Sequence, residues 1–289
     1  MFINKKFVLP TLLLLPMSVL ANEAHTTQHE QVTNKFIKSQ REKLEQNTVG
    51  KGFGPQSPRD IDSIAGENPI TFGAAPAYSN MNLCNIHFHK NAEHKGGEFT
   101  HYAGNGDGHG YLGGYQYTGS LTSSELAPVH HEVCPSAHDS LYPGETIEVH
   151  YVHSTAQVTP GPTLGSCLNE SINNPQLRVE TQVFVLVNDH NAANFMDLTQ
   201  IGEVQGFHQA LNIPDSTGKP VQYAGSTTGP GYNEQGSPFQ VSWSVRPKVV
   251  KVDIDSVGQW CQGNPFNEDH AHGVRNLVTN PKLLSEITQ

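Results

Sequence analysis

Positive charge is scarce in this chain. Its 17 lysines and arginines stand against 27 aspartates and glutamates over 289 residues, a formal charge of −10. No basic patch interleaved with aromatics occurs, which argues against a nucleic-acid-binding surface, and the negative balance favours solubility. Beyond the N-terminus no stretch is long or apolar enough to cross a bilayer. Cysteine is limited to Cys84, Cys134, Cys167 and Cys261. None falls in a Cys-x-x-Cys spacing, so a structural zinc knuckle is not expected. Long helical periodicity, internal repeats and a domain linker are absent as well.

What is present begins with a targeting pattern. Lys5 and Lys6 precede an apolar run from Phe7 to Leu20, and Val19-Leu20-Ala21 resembles a cleavage site. Residues 1–21 are therefore read as a signal peptide, leaving a mature chain of about 268 residues that is exported to the periplasm or secreted. No membrane association is expected after cleavage. In that compartment the four cysteines can form disulfides, with three full pairings open. Residues 22–50 read as a polar arm or surface helix, with a weak helical pattern over Gln31 to Leu44. Residues 51–289 read as one large domain, and no oligomeric state is specified.

Short β-branched and aromatic runs mark strands at Cys84–His89, Thr146–Val152, Val179–Val187, Phe239–Val245 and Val249–Ile254. Val183 to Val187 is continuously apolar and reads as buried on both faces. The Gly- and Tyr-rich residues 95–120 read as a long loop. The fold class is all-β or β-dominated.

Chemistry concentrates on two of these strands. The first holds Asn85-Ile86-His87-Phe88-His89, then Glu93-His94; the second holds Glu148-Val149-His150-Tyr151-Val152-His153. Alternate side chains of a strand share a face, so His87 with His89, and Glu148 with His150, point the same way. Three imidazoles from paired strands can hold one metal ion and leave a fourth position open, as in a catalytic zinc site. Asn85 and Glu148 lie on the same faces and are candidates to orient the ligand rings through their second nitrogens. Cys84, at an odd offset from His87, is assigned to a disulfide rather than the metal. His153 is expected to point away, and His94 is the first replacement should a ligand fail.

These segments, in this order, resemble the ligand strands of the α-class carbonic anhydrases. Gln56-Ser57-Pro58-Arg59-Asp60-Ile61 resembles the Gln-Ser-Pro-x-Asp-Ile signature of that class. Tyr223-Ala224-Gly225-Ser226-Thr227-Thr228-Gly229-Pro230, followed by Val241-Ser242-Trp243, resembles its Tyr-x-Gly-Ser-x-Thr-Thr-Pro-Pro and Val-x-Trp segments. The Cys-x-x-His-x-His opening, the insertion of about fifty residues between Glu93 and Glu148, and the tail Phe266 to Gly273 look more like the δ class and its bacterial relatives.

The resemblance implies a single domain around a central, largely antiparallel sheet. It implies Zn2+ held by His87, His89 and His150, and hydration of carbon dioxide to bicarbonate by a zinc-bound hydroxide. Thr227 resembles the gatekeeper threonine that bonds to a carboxylate, here Glu93. Thr228 is expected to touch bicarbonate, and Val152, with Val185 or Leu186, to wall a carbon dioxide pocket. The threonine loop is read as one residue shorter than in the α class. No histidine lies between Ile61 and His87, where the α-class proton shuttle belongs; His101 and His109, within the insertion, are candidates instead, as are His130, His131 and His138, while His270 and His272 stay unassigned. Two other readings remain open at this point. A cupin would use His87, His89, Glu93 and His150 to hold iron, manganese or nickel, and an exported zinc-binding module would lack catalysis.

Overall fold

The computed structural model describes residues 31–63 and 66–287. The signal-peptide assignment and the start of the polar arm lie outside them. Among the described residues no helix is long and apolar enough to cross a membrane.

Helix α1 (Asn34–Thr48) starts at Thr33, whose side chain accepts the Phe36 N–H. It turns Ile37 and Leu44 inward, and Leu44 packs on Val278, Leu283 and Leu284 from the far end of the chain. Strand β1 (Asn82–Lys90) is followed by the two-residue strands β2 (His101–Tyr102) and β3 (Tyr115–Gln116), which pair with each other. Next come β4 (Thr146–Ser154), β5 (Leu177–Val187), the short helix α2 (Phe195–Leu198), and the hairpin of β6 (Ile201–Val204) and β7 (Phe207–Ala210). Strands β8 (Val221–Ser226) and β9 (Gln240–Asp253) and helix α3 (Ile254–Cys261) complete the frame.

The central sheet runs β1-β4-β5-β9-β8. Its pairings are antiparallel except that between β5 and β9, so the β-dominated, mostly antiparallel expectation holds. Period-2 alternation gives the sheet two unlike faces. Ile86 and Phe88 of β1, Val149 and Tyr151 of β4, and Phe184 and Leu186 of β5 join a core roofed by Phe195 and Trp260. Burying such side chains contributes roughly 1.5–3 kcal/mol each relative to leaving them in water. The opposite face carries His87, His89 and His150. Val183 to Val187 is fully buried on both faces, as its apolar run implies.

The segments read as two strands, Phe239–Val245 and Val249–Ile254, form the single strand β9. Pro247 lies where the ladder slips: Thr181 pairs with Val245, and Val183 with Val249. The three residues between them bulge out, so the missing proline N–H interrupts no pairing. Ile254 is the first residue of α3, and Phe239 lies just outside the strand and is exposed. The 95–120 segment is loop apart from β2 and β3.

Both disulfides form. Cys84 pairs with Cys167 across 83 residues, and Cys134 with Cys261 across 127. The β1 ladder slips at Cys84, between Leu83 and Asn85, and the sulfur is bonded and therefore unavailable to a metal. The second bridge ties the insertion to α3. Closing loops of this length removes denatured-state entropy worth on the order of 4–5 kcal/mol each. Reduction of both is expected to lower the melting temperature by roughly 15 °C, read by calorimetry with and without reductant.

Candidate metal centre

The register of the first two strands in the sheet sets the site. His87 lies opposite His150, and His89 opposite Glu148. The three imidazoles converge: ring centroids are 5.2 Å apart for His87 and His89, 5.0 Å for His87 and His150, and 4.7 Å for His89 and His150. One nitrogen from each lies within 4.8 Å of the other two. The His150 Nδ1 to His87 Nε2 separation is 3.2 Å, near the ~3.4 Å edge of a tetrahedron with ~2.05 Å metal–nitrogen bonds.

Each ring has its other nitrogen pinned. His87 Nδ1 donates to Asn85 Oδ1 at 2.6 Å, and Asn85 Nδ2 donates to the Gly161 carbonyl at 3.2 Å, which fixes the amide's orientation. His89 Nδ1 donates to the Gly273 carbonyl at 2.8 Å. His150 Nε2 donates to Glu148 Oε1 at 2.6 Å. These acceptors place the protons on the outer nitrogens and leave lone pairs on His87 Nε2, His89 Nε2 and His150 Nδ1, all facing one point. His89 Nε2 is buried and has no hydrogen-bond partner in the protein. A buried imidazole nitrogen in that condition fits a ligand to a cation. Burial, with the neighbouring imidazoles of His150 and His89, holds His87 well below the ordinary imidazole range. His89 is pushed down to about 4, chiefly by burial. Both rings are thus neutral near pH 7, the form that binds metal.

His94 does not compete for this position. Its Nδ1 meets Glu148 Oε1 at 2.7 Å, and its Nε2 meets the Tyr223 hydroxyl at 2.7 Å. Its backbone N–H also donates to Glu148 Oε2 at 3.0 Å. Burial alone would raise the Glu148 carboxyl, but the imidazoles of His94 and His150 hold it well below the usual carboxylate range. His153 points elsewhere, with Nδ1 donating to the Tyr151 carbonyl at 3.0 Å and its ring against Tyr78.

The threonine loop corrects one expected pairing. Glu93 Oε2 accepts from Thr228 Oγ1, not from Thr227. Thr227 Oγ1 instead meets Ser237 Oγ at 2.5 Å. An ungapped count from Tyr223 along Tyr-x-Gly-Ser-x-Thr arrives at Thr228, so the loop lacks no residue; the departures are Gly229 in place of the second threonine and Gly231 in place of the second proline. Glu93 Oε1 accepts the Arg275 N–H at 3.2 Å and stands 3.9 Å from His89 Nδ1, the nitrogen turned away from the convergence point. Glu93 is therefore committed to the threonine loop, and the carboxylate ligand that a cupin requires has no candidate in it.

Gln56 and Ser57 brace this loop from behind. Ser57 Oγ donates to the Ser226 carbonyl at 2.5 Å, and Gln56 Oε1 accepts from Ser226 Oγ at 3.2 Å and the Ser237 N–H at 2.9 Å. A Cβ on Gly225 would stand 2.8 Å from Ser57 Cα, so the close approach requires glycine there.

The convergence point opens into a cleft of about 340 Å³. Val152 lines it, joined by Leu177, Val179, Val241 and Trp243; Val185 and Leu186 do not. Thr227 and Thr228 are at its edge, and the insertion contributes Tyr111. Neither His101 nor His109 lines it; both are exposed. Beyond the three converging rings, the histidine that lines it is His272, whose Nε2 meets Glu268 Oε2 at 2.5 Å and whose pKa is raised by that carboxylate. The Gly273 carbonyl and the His272–Glu268 pair were not singled out from sequence for these positions; the only signal was the family-like tail that contains them.

A sequence model described as delta carbonic anhydrase matches residues 78–256. The chain belongs to the delta carbonic anhydrase family. Solved structures similar to this carbonic anhydrase include a hyperthermostable carbonic anhydrase from a hydrothermal vent chimney, at 15% identity and TM-score 0.27 over 83% of this chain and 89% of that one. The α-carbonic anhydrase of Photobacterium profundum is 16% identical, TM-score 0.26, over 79% and 88% of the two chains. That of Thermovibrio ammonificans, solved with the inhibitor sulfanilamide, is 16% identical, TM-score 0.26, over 77% and 84%. No curated protein matches the sequence. The family assignment of this anhydrase therefore stands on the sequence match, and its strand-dominated sheet agrees with it.

Proposed function

We propose that this carbonic anhydrase hydrates carbon dioxide reversibly to bicarbonate and a proton, with zinc held by His87, His89 and His150. The observation that carries the reading is the convergence of three oriented ring nitrogens, one of them buried without a partner, at the floor of an apolar-walled cleft. A zinc ion held there by His87, His89 and His150 would supply a water whose pKa is brought down to about 7.

The chain's own residues then orient and admit. Thr228 gives its hydroxyl proton to Glu93, so its oxygen is left only as an acceptor. A nucleophile resting against Thr228 must donate a hydrogen to it, which turns a lone pair toward the substrate. Val152, Val179 and Trp243 offer an apolar bed for carbon dioxide beside that nucleophile. Gly229, with φ +106°, carries no side chain to crowd the departing bicarbonate. Two disulfides support an exported, periplasmic or secreted location, since such bonds persist in oxidising compartments.

The test is stopped-flow carbon dioxide hydration by zinc-loaded mature protein and by protein stripped with a chelator. Catalysis only in the loaded form is expected, and a loaded protein no faster than buffer ends this reading. A further variant checks how the rings are oriented. Asn85→Ala removes the acceptor on His87 Nδ1 and is expected to weaken zinc binding about tenfold, read by competition with a chromogenic chelator.

A further inference from the structure

A second group of metal-type side chains lies on the opposite end of β9 from the threonine loop. We propose that His190, Asp253 and Asp255, with His131, form a separate site for a divalent first-row transition ion. His190, Asp253 and Asp255 each offer a ligand atom within 4.8 Å of the other two. His190 Nδ1 stands 3.3 Å from Asp253 Oδ2 and 3.8 Å from Asp255 Oδ2. His131 Nε2 stands 3.1 Å from the other oxygen of Asp255. Ligand pairs on a tetrahedral ion with bonds of ~2.0–2.2 Å are separated by about 3.3–3.6 Å, close to the His190 separations, while His131 approaches the same Asp255 carboxylate from its other oxygen.

Two details favour an ion over simple pairing. Asp255 Oδ1 is shielded from solvent yet accepts no hydrogen bond, even with His131 Nε2 beside it. Asp253 is buried and divides its oxygens: Oδ1 accepts the Asp255 N–H at 3.3 Å at the start of α3, and Oδ2 faces His190. Two carboxylates so close together concentrate negative charge at this point, which a divalent cation balances. Mixed nitrogen and oxygen donors suit zinc and its first-row neighbours better than calcium or magnesium.

The backbone around the cluster is fixed by independent means. The Asp253 N–H donates to the Ala193 carbonyl at 3.0 Å, holding the His190 loop to the strand end. The Cys134–Cys261 bridge anchors the insertion to α3, three residues from His131. An ion here would clamp three segments: the insertion, the loop after β5, and the β9–α3 junction.

The test counts zinc, and it is independent of hydration. Chelator-stripped mature protein is titrated with Zn2+ alone by calorimetry, and the bound metal is then counted by mass spectrometry after gel filtration. Two equivalents are expected in the wild type. His190→Ala, on an exposed side chain that leaves the fold untouched, is expected to bind one and to hydrate carbon dioxide at the wild-type rate. Asp255→Asn is expected to behave likewise. His89→Ala is expected to keep the equivalent that His190→Ala loses, so failure at either centre is read separately. A zinc count that His190→Ala and Asp255→Asn leave unchanged overturns the proposal.

Discussion

His89→Ala is expected to abolish both zinc binding at the catalytic centre and hydration above the buffer background. Among the three converging rings, His89 supplies the nitrogen that is buried without a partner in the protein. Its removal leaves two imidazoles, His87 and His150, where a catalytic zinc site uses three protein ligands. The other nearby rings are engaged elsewhere: both nitrogens of His94 are bonded, His153 faces away, and His272 Nε2 is paired with Glu268. The substitution also frees the Gly273 carbonyl, a single acceptor at the edge of a water-accessible cleft, so the sheet itself should persist. Metal analysis and far-ultraviolet circular dichroism on the same sample separate the outcomes. Loss of zinc with an unchanged spectrum is expected, and full zinc occupancy with a wild-type rate would remove His89 from the centre.

Thr228→Val is expected to lower kcat/KM by about 10²-fold with zinc content unchanged, the scale of losing one preorganised polar contact at the reacting atoms. Valine keeps the branched shape but can neither accept from the nucleophile nor donate to Glu93. Thr227→Val is the control. Its hydroxyl is paired with Ser237, away from Glu93, so only a several-fold change is expected. The reverse ranking, with Thr227→Val the more damaging, would return the orienting role to Thr227. Stopped-flow assays of both variants at one pH decide it.

Much of the site was legible because it lies on strands. Period-2 alternation alone put His87, His89 and Asn85 on one face of β1, and Glu148 with His150 on one face of β4, where the structure has them. Loops carry no such ruler. The threonine pairing was displaced by one residue because Thr227 and Thr228 are chemically alike, and only the hydrogen bond to Glu93 distinguishes them. The Gly273 carbonyl was invisible for a different reason: every residue has a carbonyl, and only the path of the chain says which one meets His89.

The fold shows the same division. β5 announced itself by an unbroken apolar run, whereas β8, an edge strand with Ala224 and Gly225 in it, has too little β-branched character to be read as one. The β6–β7 hairpin turns on Gln205-Gly206, both at positive φ (52° and 84°). Gln is an uncommon first residue for such a turn, which favours Asn or Asp, so the signal was weak.

The last stretch of chain has a consequence for timing. The Gly273 carbonyl steadies His89, and Arg275 gives its backbone N–H to Glu93 and a guanidinium N–H to Gln56 Oε1 at 3.2 Å. All three ligand histidines precede these supports by more than a hundred residues. The centre is therefore complete only once this distant segment has folded back onto the sheet, and the metal is best captured at the end of folding rather than along the way.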